Sequence, residues 1–305
     1  MLNLIVKRII GMILLIFIII TLTFFLLRLA PGNPFANERA FPPETIKALN
    51  EKYGLNQPIR VQYFNYLKAL LKGDLGPSTR YIGRTVNDII AEHLPNSIVL
   101  GLIAYGFALL VGLTLGIFAA LRQNSLLDYV TMAMAIIGVS VPNFVLGPIL
   151  VIIFSLSLYW LPPARWGEPR HLILPALTLS AIYIAYIARL TRSGMLEVLR
   201  ADYIRTARAK GLKEFVVVLR HALRGGILPV VSFTGPALAY LLAGAIVVER
   251  IYAVPGLGRV FIEAASSRDY SVVLGITLFL SVVLIVMNLI VDIMLGLLDP
   301  RISYK

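Results

Sequence analysis

Six long apolar runs set the limits on what this chain can become. They cover residues 9–29, 97–121, 129–158, 172–190, 227–248 and 272–298. A helix needs about 20 apolar residues to cross roughly 30 Å of hydrocarbon, and runs of this length make up nearly half of the 305 residues. With 58% of its residues hydrophobic and 14% charged, the chain lies outside the range of soluble domains. The expected fold class is all-α, a polytopic membrane protein with six transmembrane helices. The first run follows Lys7 and Arg8, as a secretory leader would, but it is too long for a cleavable apolar core and no small-x-small site follows it. It is read as a retained span.

The formal net charge of +12 would suit a nucleic-acid ligand, but in a membrane protein the placement of charge matters more than its sum. With the N-terminus inside, the inner segments carry fourteen Lys and Arg, nine of them between Arg189 and Arg224, against five in the two short outer loops. Short cytoplasmic loops retain excess positive charge. Both termini are therefore expected in the cytoplasm, with lipid rather than nucleic acid around the chain.

Three segments follow: an N-terminal span at 1–30, an extracytoplasmic helical insert at 31–95, and a five-helix core at 96–305 containing a cytoplasmic loop at 191–226. Within the insert, "PPETIKALNEKYG" and "PIRVQYFNYLKALLKG" each begin with proline and end at glycine, the punctuation of short amphipathic helices. Such helices can cap the membrane domain or offer a docking surface, and the two roles are compatible.

Inside the runs, Pro142, Pro148, Pro175, Pro229 and Pro236 each remove a backbone donor. They serve as packing kinks, or they bend helices around a wet path lined by Ser140, Asn143, Thr178, Ser180, Tyr183, Ser232, Thr234 and Tyr240. Asp292 is the one charge expected inside a run, as an interfacial anchor or a proton relay.

The 191–226 loop contains "DYIRTARAKGL", with three cations in eleven residues. Leu196, Leu199, Tyr203 and Ala207 fall at helical spacing on one face, Arg205 and Arg208 on another, and Gly211 stops the helix. The cations fit anionic headgroups or the ordinary inside-positive excess. Neither explains the small residues beside a helix stop, which suit docking onto a cytoplasmic protein.

The sequence holds no GxxxxGK[ST] loop to cradle ATP phosphates, and no HExxH, GxSxG or paired-carboxylate arrangement. His93, His171 and His221 are scattered at span edges, and cysteine is absent. An enzyme of the membrane is thus disfavoured. A self-contained ion-coupled carrier would place ionisable groups at the midplane and show an internal repeat, and neither stands out.

"RTARAKG", followed after nine residues by "HALRGGILPV", resembles the coupling loop of ABC-transporter permeases in the form used by the dipeptide, oligopeptide and nickel branch. "LRLAPGNPF", "SVPNFVLGP", "HLILPALTLS", "ARLTRSGMLEVL", "VVERIYAVPGLGRVFIEAASSRDYSVVLG" and "LDPRI" extend the resemblance along the chain. "NERAFPPE" and "ALLKGDLGPS" set it nearest the oligopeptide permeases of that branch.

That resemblance implies half of a translocation path for oligopeptides, or else for dipeptides, glutathione or nickel chelates. Its implied partners are a homologous second permease, two ATPase subunits and a periplasmic peptide-binding protein. No cofactor or metal is expected on this chain, with ATP and Mg held by the ATPases, and no catalytic residue is expected. The ATPase-coupling residues would be Tyr203, Arg205, Thr206, Ala207, Arg208, Gly211 and Leu212. Pro255, Gly256 and Gly258, with Arg268 and Asp269, would form a periplasmic mouth, or simply a connection between helices.

Overall fold

The computed structural model describes residues 2–29, 43–242 and 246–298. The expected all-α class is borne out: among the described residues there is no strand, only a single bridge between Pro77 and Thr85. Five helices are long and apolar enough to span a membrane, and a bent helix pair supplies a sixth crossing if counted as one. The "NERAFPPE" stretch up to Pro42, residues 30–35 of "LRLAPGNPF" and all of "LDPRI" after Leu298 lie outside the described residues.

Helix α1 covers Leu2–Leu29, and α2 (Pro43–Lys52) and α3 (Ile59–Leu70) follow as short helices. The second long helix, α4, runs Val86–Leu121. It starts well before the expected 97 and absorbs Pro95.

The expected third span, 129–158, is not one helix. It is α5 (Leu126–Ser140) and α6 (Asn143–Leu150), bent by 104° at the break, with a π-helical continuation over Val151–Ser157. Pro142 causes the break. It has no N–H to donate and it forces the residue before it out of the helical region, so Val141 sits at φ −88, ψ 113.

Helix α7 (Pro169–Leu199) extends nine residues beyond the expected end at 190. After it come α8 (Asp202–Ala209), α9 (Glu214–Val216), π-helical turns over Val217–Ala222, and α10 (Leu223–Gly226). The chain continues as α11 (Leu228–Leu242), α12 (Ile246–Ile251), α13 (Leu257–Ser266) and α14 (Tyr270–Leu298). Pro229 therefore falls in the first turn of α11, at the start of the span, where a missing N–H costs little.

The chain divides into two compact units. One joins Met1–Ser97 to Pro255–Ile285, so the described part of the insert, residues 43–95, packs with α13 and the first half of α14. Its core is built from Val86, Ile89 and Ile90 of α4, Leu257, Val260 and Ala264 of α13, and Val272, Val273 and Ile276 of α14. The Asp269 carboxylate accepts hydrogen bonds from the Ser78 hydroxyl, from the Thr79 and Arg80 amides at 3.1 Å, and from the Val272 amide at 3.3 Å. It thus caps α14 and holds the 78–80 loop at once. Asp269→Ala is expected to destabilise the protein by about 2 kcal/mol, the scale of a lost hydrogen bond to a charged group. Thermal unfolding and faster proteolysis between residues 74 and 85 would read this out.

The other unit joins Ile98–Val254 to Val286–Lys305. Its core gathers Leu100, Ala104, Tyr105 and Ala108 of α4, Leu174, Leu179, Tyr183 and Ile187 of α7, and Val248 and Tyr252 around α12. Helix α4 meets α7 through Gly112 and Gly116, where an added Cβ would lie 2.8 Å from Ile187 and 2.6 Å from the Ala188 carbonyl. Small residues four apart let two helices touch at backbone distance, an association suited to lipid, where hydrophobicity itself gives helices no reason to pair.

Candidate functional site

The segment after α7 forms the candidate site, and its shape follows from where its apolar side chains can go. Ala201 is extended (φ −70, ψ 149), which turns the chain out of α7, and Asp202 begins α8. Ile204 and Ala207 face inward, onto Ala120 of α4, Met195 of α7 and Val217, Val218 and Ala222 of the π-helical turns. Thr206 donates to the Asp202 carbonyl at 3.0 Å, and the Lys210 amide closes the last turn on Thr206 at 3.1 Å. Gly211 then takes φ +77, a left-handed conformation that costs an L side chain roughly 1–2 kcal/mol, and its amide bonds the Arg208 carbonyl at 2.9 Å. Arg208 and Glu214 form a two-pronged ion pair across that turn, at 2.7 and 3.1 Å. The guanidinium holds the Glu214 carboxyl below its ordinary range.

Of the residues expected to couple to a partner, Tyr203, Arg205, Thr206, Arg208, Gly211 and Leu212 are exposed. Ala207 is not, being 6% exposed. The expected stripe Leu196, Leu199, Tyr203 and Ala207 is not one helix face, because the turn at Arg200 and Ala201 separates its two halves. The inward residue that spacing missed is Ile204, fully buried. The outward surface is instead Tyr203, Arg205, Thr206, Ala209, Lys210 and Leu212, continued by Phe215. The helix-turn is thus cationic and exposed outside and sealed to its base inside.

Its base is fixed by charge as well as packing. Arg200 reaches Gln123 at 3.3 Å. The Arg192 guanidinium forks onto Asp128, Nε to Oδ1 at 2.5 Å and an Nη to Oδ2 at 2.7 Å, and Asp128 also accepts the Asn124 amide at 3.0 Å. Sequence reasoning passed over this pair because each residue sits at the edge of an apolar run. A lone carboxylate three residues after Ser125, at a helix start, is the signal that was there to be found.

The expected path residues do not share a face. Thr178 is buried, donating to the Leu174 carbonyl or sharing a hydrogen bond with the Tyr252 hydroxyl at 2.8 Å, while Tyr252 also bonds the Gly147 carbonyl. Tyr183 is buried against Tyr105 and Phe233, and Ser180 is buried too. Thr234 is half-buried and accepts from the Tyr105 hydroxyl at 2.7 Å. Only Ser140, Ser232 and Tyr240 are exposed, with Asn143 half-buried at the start of α6. Ser180 donates to the Leu177 carbonyl at 3.0 Å, so Thr178, Ser180 and Tyr183 all have partners inside the unit in this structure.

The expected mouth residues are likewise drawn inward. The Pro255 carbonyl accepts from Asn96 at 2.8 Å, and the Leu257 amide donates to Ser97 at 2.9 Å. Gly256, Gly258 and Asp269 are buried, and Pro255 and Arg268 are half-buried. This segment connects helices and ties α13 to the start of α4. Among the described residues no group of three or more His, Asp or Glu could hold a metal ion.

Five helices and one bent pair apolar enough to cross a membrane, with one projecting cationic helix-turn among them, define a multi-pass membrane protein. Solved structures share the fold: two inward-facing forms of the MetNI methionine ABC transporter align with TM-scores of 0.54 and 0.56 at 15% identity, over 69% of this chain and 96% of theirs. The chain belongs to the inner membrane components of binding-protein-dependent transport systems, whose family model matches residues 112–304 while the corresponding N-terminal model matches 1–100. It is 46% identical to the oligopeptide transport system permease protein OppB of Haemophilus influenzae and 47% identical to that of Escherichia coli, over 100% of both chains in each case. It is 45% identical to the dipeptide transport system permease protein DppB of Bacillus subtilis, over 98% of this chain and 97% of the relative.

Proposed function

We propose that this chain is the permease subunit of an ATP-driven importer and supplies half of a translocation path for oligopeptides delivered by a periplasmic binding protein. The observation that carries the reading is the projecting 202–211 helix-turn on its sealed base, in a chain alike from end to end to oligopeptide permeases. Both termini lie in the cytoplasm, which puts this cationic helix-turn on the side where ATP is found. Two ATPase subunits grip it and its counterpart on a second, homologous permease. ATP and Mg are bound there, not on this chain.

ATP prefers the closed ATPase pair, and a ligand moves an equilibrium only through such a preference. Closure carries the 202–211 segment, and the Arg200–Gln123 and Arg192–Asp128 contacts pass that displacement to α7 and α5. The bundle then opens outward and receives substrate from the binding protein. Ser140, Asn143, Ser232 and Tyr240 are the path-facing residues. Dipeptide is the second cargo reading, supported by the 45% identity to a dipeptide permease.

Reconstitution tests this. The chain with its second permease, ATPases and binding protein should take up oligopeptide only with ATP. Uptake by this chain alone on an ion gradient would overturn the reading. Gly211→Asp should leave the complex assembled, since nothing lies within 4 Å of the position an added Cβ would take. The strained turn and the added charge beside the docking face should nevertheless uncouple hydrolysis from uptake, lowering peptides moved per ATP by about tenfold, which is 1.4 kcal/mol of lost coupling.

A further inference from the structure

Helix α3 has two faces of different chemistry. Its inner face is aromatic and lies on α1: the Thr21 and Tyr63 hydroxyls are 2.7 Å apart, Phe24 stacks on Tyr66 at 5.8 Å between ring centres, and Phe24 and Phe25 each meet Tyr63 at 5.3 Å. Its outer face presents Val61 and Phe64, followed at the helix end by Leu71, which is 89% exposed. Arg60, Lys68 and Lys72 are exposed along the same stretch, and no Asp or Glu occurs between Ile59 and Gly73.

The contacts with α1 fix how deep α3 sits. The apolar window of α1, Ile10–Leu29, is 20 residues long, about 30 Å at 1.5 Å per residue, which matches the hydrocarbon thickness. Leu29 then lies near one boundary, and Thr21, eight residues before it, is roughly 12 Å inside. Tyr63 reaches Thr21, so the middle of α3 is held at or below the level of the lipid headgroups. There a helix is tolerated because it satisfies its own main chain. An outer apolar face at that depth meets acyl chains, as do Leu22, Leu26 and Leu29 of α1, all exposed.

We propose that α3 is an in-plane interfacial helix: Val61, Phe64 and Leu71 enter the leaflet at the Leu29 end of α1, while Arg60, Lys68 and Lys72 bind anionic phospholipid headgroups. Lipid is the occupant because the face is sited by depth and carries three cations with no acid between Ile59 and Gly73, the pattern of helices that lie on membranes. The lipid anchors the segment against α1, and so sets where the neighbouring loops stand. None of this depends on what the transporter carries.

The absence of cysteine allows single labels on the full chain without background substitutions. Phe64→Cys and Leu71→Cys, spin-labelled in bilayers of phosphatidylethanolamine and phosphatidylglycerol, should collide several-fold more with oxygen than with a water-soluble nickel chelate. Leu22→Cys supplies the lipid reference and Lys47→Cys the aqueous one. Labels at 64 and 71 that match Lys47, or that are shielded from both reagents as beneath a protein partner, would overturn the proposal. The triple variant Arg60→Gln, Lys68→Gln, Lys72→Gln should retain less phosphatidylglycerol relative to phosphatidylethanolamine through purification, by up to about fivefold per cation removed. An unchanged ratio would also overturn it. Both readouts are independent of uptake, so they fail separately from the import reading.

Discussion

Asp128→Ala is expected to destabilise the folded chain by about 3 kcal/mol, a large share of the 5–15 kcal/mol that holds a typical protein together. The carboxylate side chain is 3% exposed and the Arg192 side chain 24%. Removing the acid would strand a partly desolvated guanidinium and leave the Asn124 amide without its acceptor. The figure stands at the lower end of the range for broken buried pairs because Arg192 keeps some contact with solvent. Asp128→Asn should cost less, since it retains an acceptor for Asn124. Asp128→Leu with Arg192→Leu should recover much of the loss, because replacing both charges removes the stranded one. Thermal midpoints of the purified chain in one detergent order the four proteins. An Asp128→Ala midpoint equal to the parent's would show that the pair does not brace α5 against α7.

Gly194→Val is expected to be at least as damaging, about 3 kcal/mol or more, because the added atoms would meet main chain and not a side chain that can turn away. A Cβ on Gly194 would lie 2.3 Å from the Gly226 carbonyl oxygen, and one on Gly226 would lie 2.6 Å from the Met195 sulfur. Helices α7 and α10 therefore touch at backbone distance, just where the 200–226 segment leaves and rejoins the bundle. Valine would wedge them apart and tilt the whole projecting helix-turn. Gly194→Ala should show the same effect in smaller measure. The expected readouts are a lowered thermal midpoint and, in the assembled complex, weaker retention of the ATPase subunits. Retention at the parent level with a normal midpoint would mean that the crossing is looser than the close approach implies.

Much of this architecture is legible in the residue pattern because hydrocarbon enforces a simple rule: a spanning segment must be long, apolar and helical. Gly211 was readable for a similar reason, since an L side chain is strained where that turn requires φ +77. Pro142 was visible as a lost donor, but the 104° bend it makes was not, because the angle of a broken helix is set by what packs on either side. The burial of Thr178, Ser180 and Tyr183 was hidden for a different reason. A threonine or tyrosine inside an apolar run looks the same whether it faces water or a neighbouring hydroxyl, and Thr178 proved to face Tyr252.

The amino-acid order alone decided the membrane class, the number of apolar runs, the place of the cationic helix and its glycine stop, for each of these depends on local composition and on backbone strain within a few residues. Tertiary contact decided the rest. It turned Ala207 and Ile204 inward, joined Asp128 to Arg192 across 64 positions, and made Asp269 an anchor for a loop 190 residues earlier. Such pairings depend on which helices lie side by side, and a residue at one position does not name its partner at another.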